Sequence, residues 1–373
     1  MKNILILTRA DLSKYSRAIK QLKFLREKYH ITAVGTKPNG LEHNFISYNK
    51  VNILSRILRL ALLKFGFYGI YFWDESNRSI LRQLMQNEFD LIIAHSYKTL
   101  PLAVMLSKNK SKIIFDEHEY APEEYEERLV WRFFFKQYII KTIKSFLPKI
   151  NSIITVSDGI AERYKKNFDV DSIVITNSVN YLNIKPTPVL EEIKLIYHGS
   201  ASPGRSIELN IELMDYLPDN YSLDLMLVKV KGFSRYFNKI EKLTKKNNRV
   251  NLIPTVKFDQ IEKFCNKYDI GLFLLPPTNF SLQHALPNKF FQYIQSRLVI
   301  AIGPSPEMAK IVLENNIGVV SDDFLPKSLA KKIEQLKPGE IELFKYNSDK
   351  AALKYSFENE IYKFEKIISG LNI

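Results

Sequence analysis

Short runs of β-branched residues alternate with longer amphipathic stretches along this chain. Residues 3–8 (Asn-Ile-Leu-Ile-Leu-Thr) form the first run, residues 14–28 have helical spacing, and residues 31–34 form the next run. Further runs of the same kind lie at residues 90–94, 112–116, 152–156 and 173–175. Parallel strands need a crossover connection between them, so this alternation predicts βαβ units in a parallel, doubly wound sheet.

A segment with two prolines and no periodicity interrupts the alternation at residues 183–192. A second series of strand-like runs follows at residues 194–197, 223–228, 250–253, 270–275, 299–302 and 318–320. The pattern therefore predicts an α/β protein of two Rossmann-like β/α/β domains that face each other across a cleft. The predicted parts are an N-terminal domain (1–182), a linker (183–192), a C-terminal domain (193–350) and a packing C-terminal helix (351–373).

Composition and charge narrow the class of partner. The 373 residues are 46% hydrophobic and 25% charged, which is typical of a folded globular protein. The 54 Lys and Arg residues against 40 Asp and Glu residues give a net charge of +14, which favours an anionic partner such as nucleic acid, anionic lipid or a phosphorylated small molecule. Cys265 is the one cysteine, no signal peptide is recognised and no apolar stretch approaches the ~18 residues of a membrane span. We therefore expect a cytoplasmic protein.

The loop Tyr-His-Gly-Ser-Ala-Ser-Pro-Gly-Arg-Ser (residues 197–206) is a candidate diphosphate site. Gly199 and Gly204 allow backbone N–H groups to approach a ligand, and Arg205 can donate two parallel hydrogen bonds to phosphate oxygens. The spacing imitates the P-loop of nucleoside triphosphatases, but Arg205 stands where that motif has lysine, which disfavours such an enzyme. The alternative is a plain strand-to-helix turn with a surface arginine.

A second candidate loop contains Leu-Pro-Asn-Lys-Phe-Phe-Gln-Tyr (residues 286–293). Pro287 falls where a helix can begin. Asn288, Lys289 and Gln292 would then lie on adjacent turns, so their polar ends can face the cleft together.

A third candidate loop is Asp-Glu-His-Glu (residues 116–119), after a strand of the first half. Such a cluster suggests a metal site, but adjacent residues cannot all reach one ion and no second cluster completes the coordination shell. We expect no metal. The alternative to a functional role is a capping histidine in a solvated acidic loop.

Residues 286–293, followed by Leu-Val-Ile-Ala (298–301), resemble the donor-binding segment of bacterial family-4-type glycosyltransferases with the GT-B fold. Other segments resemble the same family in the same order, at residues 115–119, 154–160, 175–179 and 197–205. The resemblance covers nearly the whole chain. It implies a retaining enzyme of surface-polysaccharide biosynthesis, such as that of capsule or lipopolysaccharide.

The resemblance also implies roles for individual residues. The C-terminal domain would bind a nucleotide sugar, with Arg205 and Lys289 on the diphosphate, and the N-terminal domain would bind the acceptor. His118 would face the anomeric carbon of the donor. The further donor-side residues are Gly199, Gly204, His284, Leu286, Pro287, Asn288 and Gln292, and the acceptor-side residues are Arg9, His95 and Glu119.

At two positions the sequence departs from the family pattern. The family carries two glutamates eight positions apart, the first on the donor sugar and the second on the ribose hydroxyls, where this chain has His284 and Gln292. Gln292 can hydrogen-bond to a ribose diol but supplies no charge. The donor nucleotide and the donor sugar are therefore left open.

Residues 51–73 and 129–150 combine basic and aromatic side chains. Such helices can lie in an anionic membrane interface, or they can be core helices with a basic outer face. In the first case the enzyme would work at the inner face of the cell membrane.

The expected function is transfer of a sugar from a nucleotide-sugar donor, which is a substrate and not a cofactor, to a hydroxyl of a polysaccharide or lipid-linked glycan. The transfer would proceed with retention and without metal. The alternatives are a nucleotide-sugar epimerase that uses Asp116, Glu117 and Glu119, a nucleic-acid-binding protein suggested by the charge, and a catalytically silent relative.

Overall fold

The computed structural model describes residues 1–48 and 53–373, with side chains outside 53–58. The chain forms two compact units. The first unit contains Met1–Thr176, Asn279–Leu282 and Ile361–Ile373, and the second contains Asn177–Thr278 and Gln283–Glu360. Residues 175–192 run without helix or strand, and the change from the first unit to the second lies at Thr176.

In its described residues the first unit contains a seven-stranded parallel sheet of order β3-β2-β1-β4-β5-β6-β7. The strands are β1 (Asn3–Leu7), β2 (His30–Gly35), β3 (Asn44–Ser47), β4 (Leu91–His95), β5 (Lys112–Asp116), β6 (Ser152–Thr155) and β7 (Ile173–Val174). The edge strand β3 was not predicted, because it has four half-buried or exposed residues and no continuous apolar run.

The helices between these strands are α1 (Ser16–Leu25), α2 (Ile53–Lys64), α3 (Tyr68–Phe72), α4 (Glu75–Leu84), α5 (Leu100–Ser107), α6 (Lys136–Phe146) and α7 (Asp158–Phe168). A short π-helical stretch, Trp131–Phe135, precedes α6.

The two faces of this sheet bury alternate residues of the same strands. Leu5 and Ile92 lie in one apolar cluster, whereas Ile4 and Ile93 lie in the other. Successive side chains of a strand point to opposite faces, so a strand covered on both sides must be apolar at every position. This requirement is the reason that the central strands were recognisable as continuous apolar runs.

The second unit, all of whose residues are described, has a six-stranded parallel sheet of order β10-β9-β8-β11-β12-β13. The strands are β8 (Ile193–Ala201), β9 (Tyr221–Lys229), β10 (Val250–Ile253), β11 (Ile270–Phe273), β12 (Val299–Ile302) and β13 (Gly318–Val320). The helices from here to the C-terminus are α8 (Ile207–Leu213), α9 (Ser234–Thr244), α10 (Ile261–Cys265), α11 (Phe280–Gln283), α12 (Asn288–Gln295), α13 (Pro306–Asn315), α14 (Pro326–Glu334), α15 (Pro338–Lys354) and α16 (Phe357–Gly370). Within the first unit, Phe364, Ile367 and Ile368 of α16 belong to the apolar cluster of Ile4.

Both sheets reverse their strand order at the first strand of the unit, between β1 and β4 and between β8 and β11. The prediction of two Rossmann-like parallel-sheet domains is confirmed. In open parallel sheets ligands bind beyond the carboxyl ends of the strands at such a reversal. A ligand site is therefore expected among the residues that follow β4, β5, β8 and β11.

Candidate functional site

The turn from β8 to α8 carries Gly199, one of the predicted donor-side residues. Its φ of +141° is a conformation that residues with a side chain rarely adopt. A Cβ atom at this position would lie 3.1 Å from Lys289 Nζ. Glycine therefore serves both the backbone turn and the close approach of Lys289. Gly204, in the turn Pro203–Arg205, has open space around it.

Lys289 lies in the first turn of α12, with its ammonium group in an aromatic environment. Nζ is buried and has no hydrogen-bond partner among the described residues. It lies 3.7 Å from the centroid of the Tyr197 ring and 5.0 Å from that of Phe273. Burial, and then the charge of Arg205, hold the pKa of Lys289 well below its usual value. Because a buried cation is costly without a counter-charge, this position is suited to an anion.

Arg205 and His198 complete the polar groups of this turn. Arg205 is half-buried, and in the described parts of the chain its guanidinium has no hydrogen bond or ion pair. His198 packs edge-to-face on Tyr293, with ring centroids 5.1 Å apart, and its Nε2 is buried without a partner in the described structure. Burial, and then the charge of Lys289, lower the pKa of His198 to about 3. The turn thus holds two basic groups and a neutral imidazole.

Tyr293 fixes α12 against the sheet. Its hydroxyl lies 3.3 Å from the carbonyl oxygen of Ile196 in β8 and 3.2 Å from that of Leu272 in β11. Its ring covers Gly271, where a Cβ atom would lie 2.5 Å from Tyr293 Cγ. This packing sets the position of Lys289, one helical turn before Tyr293.

Three further donor-side predictions surround the start of α12. Leu286 is buried, Pro287 is the N-cap with an extended backbone, and Asn288 is the first helical residue. The structure therefore gives Leu286 a packing role, while Asn288 and Lys289 stand in the first turn of the helix.

Gln292 lies on α12 one turn after Lys289 and is 3% exposed. Its Nε2 donates to Glu262 Oε1 of α10 at 3.0 Å. A carboxylate thus stands beside the position where the family pattern has one. Sequence reasoning missed Glu262, because only the folded structure brings α10 next to α12.

His284 has a similar arrangement. Its Nδ1 lies 2.8 Å from Glu307 Oε1, and both side chains are largely buried. Glu307 lies in the first turn of α13, where a carboxylate interacts favourably with the helix dipole. At both departures from the family pattern, a glutamate from another element therefore contacts the replacing residue.

The second cluster lies in the first unit and centres on Asp116, the last residue of β5. Arg17 Nε of α1 lies 2.8 and 2.9 Å from its two carboxylate oxygens, and Gln21 Nε2 donates at 2.6 Å. Burial alone would raise the pKa of Asp116, but Arg17, His95 and the hydrogen bonds of Gln21 and Arg17 hold it below its usual value. Asp116 is therefore a buried, ionised carboxylate.

His95 ends β4, pairs in register with Asp116 and is buried. Its Nδ1 lies 3.7 Å from Asp116 Oδ2 and 3.3 Å from the hydroxyl of Tyr15. Burial lowers the pKa of His95 to about 4, against the opposing effect of Asp116. His95 is therefore neutral at pH 7.

His118 follows β5 and is half-buried. Its Nδ1 lies 3.3 Å from the same Tyr15 hydroxyl. Burial, and then the charge of Arg17, lower the pKa of His118 to about 4. The predicted residues His95 and His118 are thus joined through Tyr15, which sequence reasoning did not identify.

The other acceptor-side predictions are placed differently. Arg9, after β1, donates to Asn77 Oδ1 at 2.7 Å and stacks over Tyr48 at 4.1 Å. Glu119 is half-buried, three residues after the end of β5. Glu117 is buried and accepts a 2.8 Å hydrogen bond from the backbone N–H of Tyr97, and burial raises its pKa well above its usual value.

The predicted basic and aromatic segments lie partly outside the described residues, since Val51, Asn52 and the side chains of residues 53–58, Arg56 among them, are not described. In the described part the two segments touch, with the Tyr71 and Phe135 rings 6.5 Å apart. Strongly exposed apolar side chains occur on both, namely Phe65, Phe67, Ile70, Leu129, Val130 and Phe133. We call these six residues the apolar surface of the first unit. Exposed Lys64 and Arg132 lie beside them in the sequence.

Within residues 1–48 and 53–373, no group of three His, Cys, Asp or Glu side chains has an arrangement that would hold a metal ion. Among the helices of the same ranges, none combines the length and apolar character needed to cross a membrane.

Comparison with known proteins identifies the fold. The chain matches Anabaena HepE, solved with UDP and glucose, at a TM-score of 0.74 and 11% identity over 99% of this chain and 100% of that one. It matches sucrose-phosphate synthase of Thermosynechococcus elongatus at 0.74 and 13%, over 100% and 99% of the two chains. A TarM variant of S. aureus, solved with fondaparinux, alpha-GlcNAc-glycerol and UDP, matches at 0.70 and 12%, over 98% and 99%. The fold is therefore that of the GT-B glycosyltransferases.

Residues 23–181, less than half of the chain, match the sequence model of Glycosyltransferase Family 4. Together with the fold, this match supports the predicted glycosyltransferase class. A comparison with curated proteins found no match.

Proposed function

We propose that the protein is a glycosyltransferase that takes a sugar from a nucleoside-diphosphate sugar and transfers it to a hydroxyl of a glycan. The observation that carries this proposal is the buried Lys289 Nζ, which has no hydrogen-bond partner in the described structure, beside Arg205. Two basic groups at the glycine turn after β8 suit the two phosphates of such a donor. Because several structural neighbours were solved with UDP, UDP is the first nucleotide to try.

The same groups account for the chemistry. When the bond between the anomeric carbon and the diphosphate oxygen breaks, negative charge grows on the leaving diphosphate. Lys289 and Arg205 stabilise that charge more than they stabilise the bound donor, which lowers the barrier. In this proposal the two cations serve in place of a metal ion.

Glu262 and Gln292 form the proposed ribose subsite. Gln292 lies one turn of α12 beyond Lys289, and Glu262 of α10 contacts Gln292. One turn is about 5.4 Å, the order of the separation between a phosphate and its ribose. A carboxylate accepts hydrogen bonds from a diol more strongly than an amide does. Glu262 therefore supplies the charged acceptor that the residue at 292 lacks.

His284 and Glu307 are the proposed contact to the donor sugar. A histidine whose Nδ1 is held by a carboxylate has a fixed ring orientation, which suits it to hydrogen-bond a sugar hydroxyl.

In the first unit, His118 is the proposed polar contact to the substrate. Asp116 is bonded by Arg17 and Gln21, and Glu117 by the N–H of Tyr97. Two of the three acidic groups on which the epimerase alternative depends are thus engaged in the structure of the unit, which disfavours that alternative and a nucleophilic role for either group. The family resemblance implies retention, and on that ground we propose that the acceptor attacks on the face that the diphosphate leaves.

The acceptor is proposed to be a lipid-linked glycan or polysaccharide, reached at the inner face of the cell membrane. The apolar surface of the first unit supports this, since Phe65 and Phe133 are 71% and 77% exposed and have basic neighbours in the sequence. Aromatic side chains that enter a bilayer interface, with basic residues at the headgroups, bind anionic membranes.

A flotation assay with vesicles of phosphatidylglycerol tests this part separately. The doubly substituted Phe65→Ser, Phe133→Ser variant is expected to stay at the bottom while the wild type floats. Leu353→Ser, at an exposed apolar position of α15, is the matched control and is expected to float. Wild-type protein that fails to float at low salt would contradict membrane contact.

The enzymatic proposal is tested by incubating the protein with a panel of nucleoside-diphosphate sugars and measuring release of the nucleoside diphosphate in EDTA. Release from one donor, abolished in Arg205→Ala and retained in Lys327→Ala, is the expected result. Lys327 is an exposed lysine of α14 and serves as the control. Binding of a nucleoside diphosphate without any release from its sugars would indicate a catalytically silent relative.

A further inference from the structure

Tyr15 stands between two neutral histidines of the first unit. Its hydroxyl lies 3.3 Å from His95 Nδ1 and 3.3 Å from His118 Nδ1. The hydroxyl carries one hydrogen, so it can donate to only one of the two nitrogens and must accept from the other. One histidine therefore carries its proton on Nδ1 and the other on Nε2. The groups around each ring determine which histidine has which tautomer.

The groups around His95 determine whether its Nδ1 donates to Tyr15 or accepts from it. Its Nδ1 lies 3.7 Å from the Asp116 carboxylate, which Arg17 and Gln21 keep ionised. A protonated Nδ1 is attracted by that carboxylate, whereas a lone pair at the same place would be repelled.

The environment of the other ring nitrogen of His95 also indicates that the proton lies on Nδ1. Nε2 is buried and has no hydrogen-bond partner among the described residues. An N–H group orphaned in the interior is costlier than an unused acceptor, so the proton belongs on Nδ1. Burial keeps the pKa of Tyr15 above its usual value, which leaves its hydroxyl protonated and able to donate.

We propose that Tyr15 is a positioning residue whose hydroxyl accepts from His95 Nδ1–H and donates to His118 Nδ1, so that His118 carries its proton on Nε2. The chain of donors runs from His95 through Tyr15 to His118, with Asp116 at its inner end. His118 Nε2–H is then a hydrogen-bond donor and not a general base.

The use of that donor in catalysis rests on the proposed function. In a transfer reaction, Nε2–H donates to an oxygen of the donor sugar or of the acceptor and holds it in place. The tautomer itself is a property of the free protein and does not depend on any substrate.

The test is a long-range ¹H–¹⁵N correlation spectrum of the full-length protein labelled in its histidine rings, recorded at pH 7.5 without nucleotide. The chain has six histidines, and the signals of His95 and His118 are assigned from His95→Gln and His118→Gln. The expected result is the Nδ1–H pattern for His95 and the Nε2–H pattern for His118. The reverse assignment, or protonation of both on the same nitrogen, would overturn the proposal.

A variant shows whether Tyr15 is the cause. Tyr15→Phe removes the hydroxyl and is expected to convert the single tautomer of His118 into a mixture, while Tyr29→Phe, a half-buried tyrosine of the same unit, leaves it unchanged. An unchanged His118 spectrum in Tyr15→Phe would contradict the role of Tyr15. If that variant does not fold, the wild-type spectrum alone determines the direction of the hydrogen bonds from His95 through Tyr15 to His118. Correct tautomers in a protein without transferase activity would leave this inference standing and remove only the proposed function.

Discussion

The ammonium nitrogen of Lys289 lies 3.7 Å from the centre of the Tyr197 ring and has no hydrogen-bond partner among the described residues. The ring face compensates part of the lost hydration, and Gly199 leaves the space that the ammonium group needs. A basic group placed in this way, beside Arg205, is the feature on which the proposed diphosphate site depends.

Gly199→Ala is expected to lower both stability and nucleotide binding. The positive φ and the crowding of Lys289 Nζ by the new Cβ together cost about 1–3 kcal/mol of the free energy of unfolding. Gly204→Ala, in the same turn but with open space around it, should change the free energy of unfolding little. Urea unfolding of both variants and nucleotide titration of Gly199→Ala check this, and equal losses of stability at the two positions would contradict it.

Glu262→Gln is expected to weaken binding of a ribonucleoside diphosphate roughly tenfold, since a hydrogen bond to a charged group contributes about 1.5 kcal/mol. Binding of inorganic pyrophosphate should not change, because that probe has no ribose. Glu342→Gln, at an exposed position of α15, is the control. Equal weakening of pyrophosphate and nucleotide by Glu262→Gln would show that Glu262 does not contact the ribose.

Arg17→Met is expected to destabilise the protein by about 3–5 kcal/mol, because it leaves the buried Asp116 carboxylate without its cation. The double variant Arg17→Met, Asp116→Leu should cost less than Arg17→Met alone, since it removes the stranded charge as well. Urea unfolding of the single and double variants measures this difference. A double variant that loses more free energy of unfolding than Arg17→Met alone would contradict this and would mean that the two residues act independently.

Stability is expected to fall as the pH drops from 6.5 towards 4. Burial lowers the pKa of His198 to about 3 in the folded protein, so below the usual value of 6.5 the unfolded chain binds a proton that the folded protein does not. One such histidine contributes a slope of about 1.4 kcal/mol per pH unit. His95 and His118, whose pKa is lowered to about 4, act in the same direction, and the raised pKa of Glu117 acts against them. The lowered pKa of Asp116 acts only near and below its usual 3.8.

His198→Gln should reduce that slope by about 1.4 kcal/mol per pH unit, whereas His43→Gln, at an exposed position, should leave it unchanged. Urea unfolding at pH 6, 5 and 4 measures the slopes. The same slope in His198→Gln as in the wild type would contradict burial of a neutral His198.

The strands were predictable because burial on both faces leaves a continuous apolar run, as in residues 91–94. The start of α12 was also predictable, since Pro287 marks it locally. The half-exposed edge strand β3 has no such signal. The local pattern of apolar residues was therefore sufficient to predict most strands of the two sheets.

The polar partners of the site were not predictable. Glu262 is 30 positions from Gln292, and Arg17 is 99 positions from Asp116, and only the packed sheets bring each pair together. The role of Tyr15 depends on two histidines, one at the end of β4 and one after β5. Motifs in the sequence predicted individual site residues that follow strands. The contacts between those residues depend on the tertiary structure.

The diphosphate site is tested by isothermal titration of the wild type, Lys289→Met and Lys327→Ala with UDP, GDP, CMP, ADP and TDP in EDTA. One nucleotide is expected to bind the wild type and Lys327→Ala alike, and to bind Lys289→Met about 10- to 100-fold more weakly, because that variant loses a charge-assisted hydrogen bond to phosphate. Equal affinity of Lys289→Met and the wild type, or a folded wild type that binds none of the nucleotides, would contradict the diphosphate site.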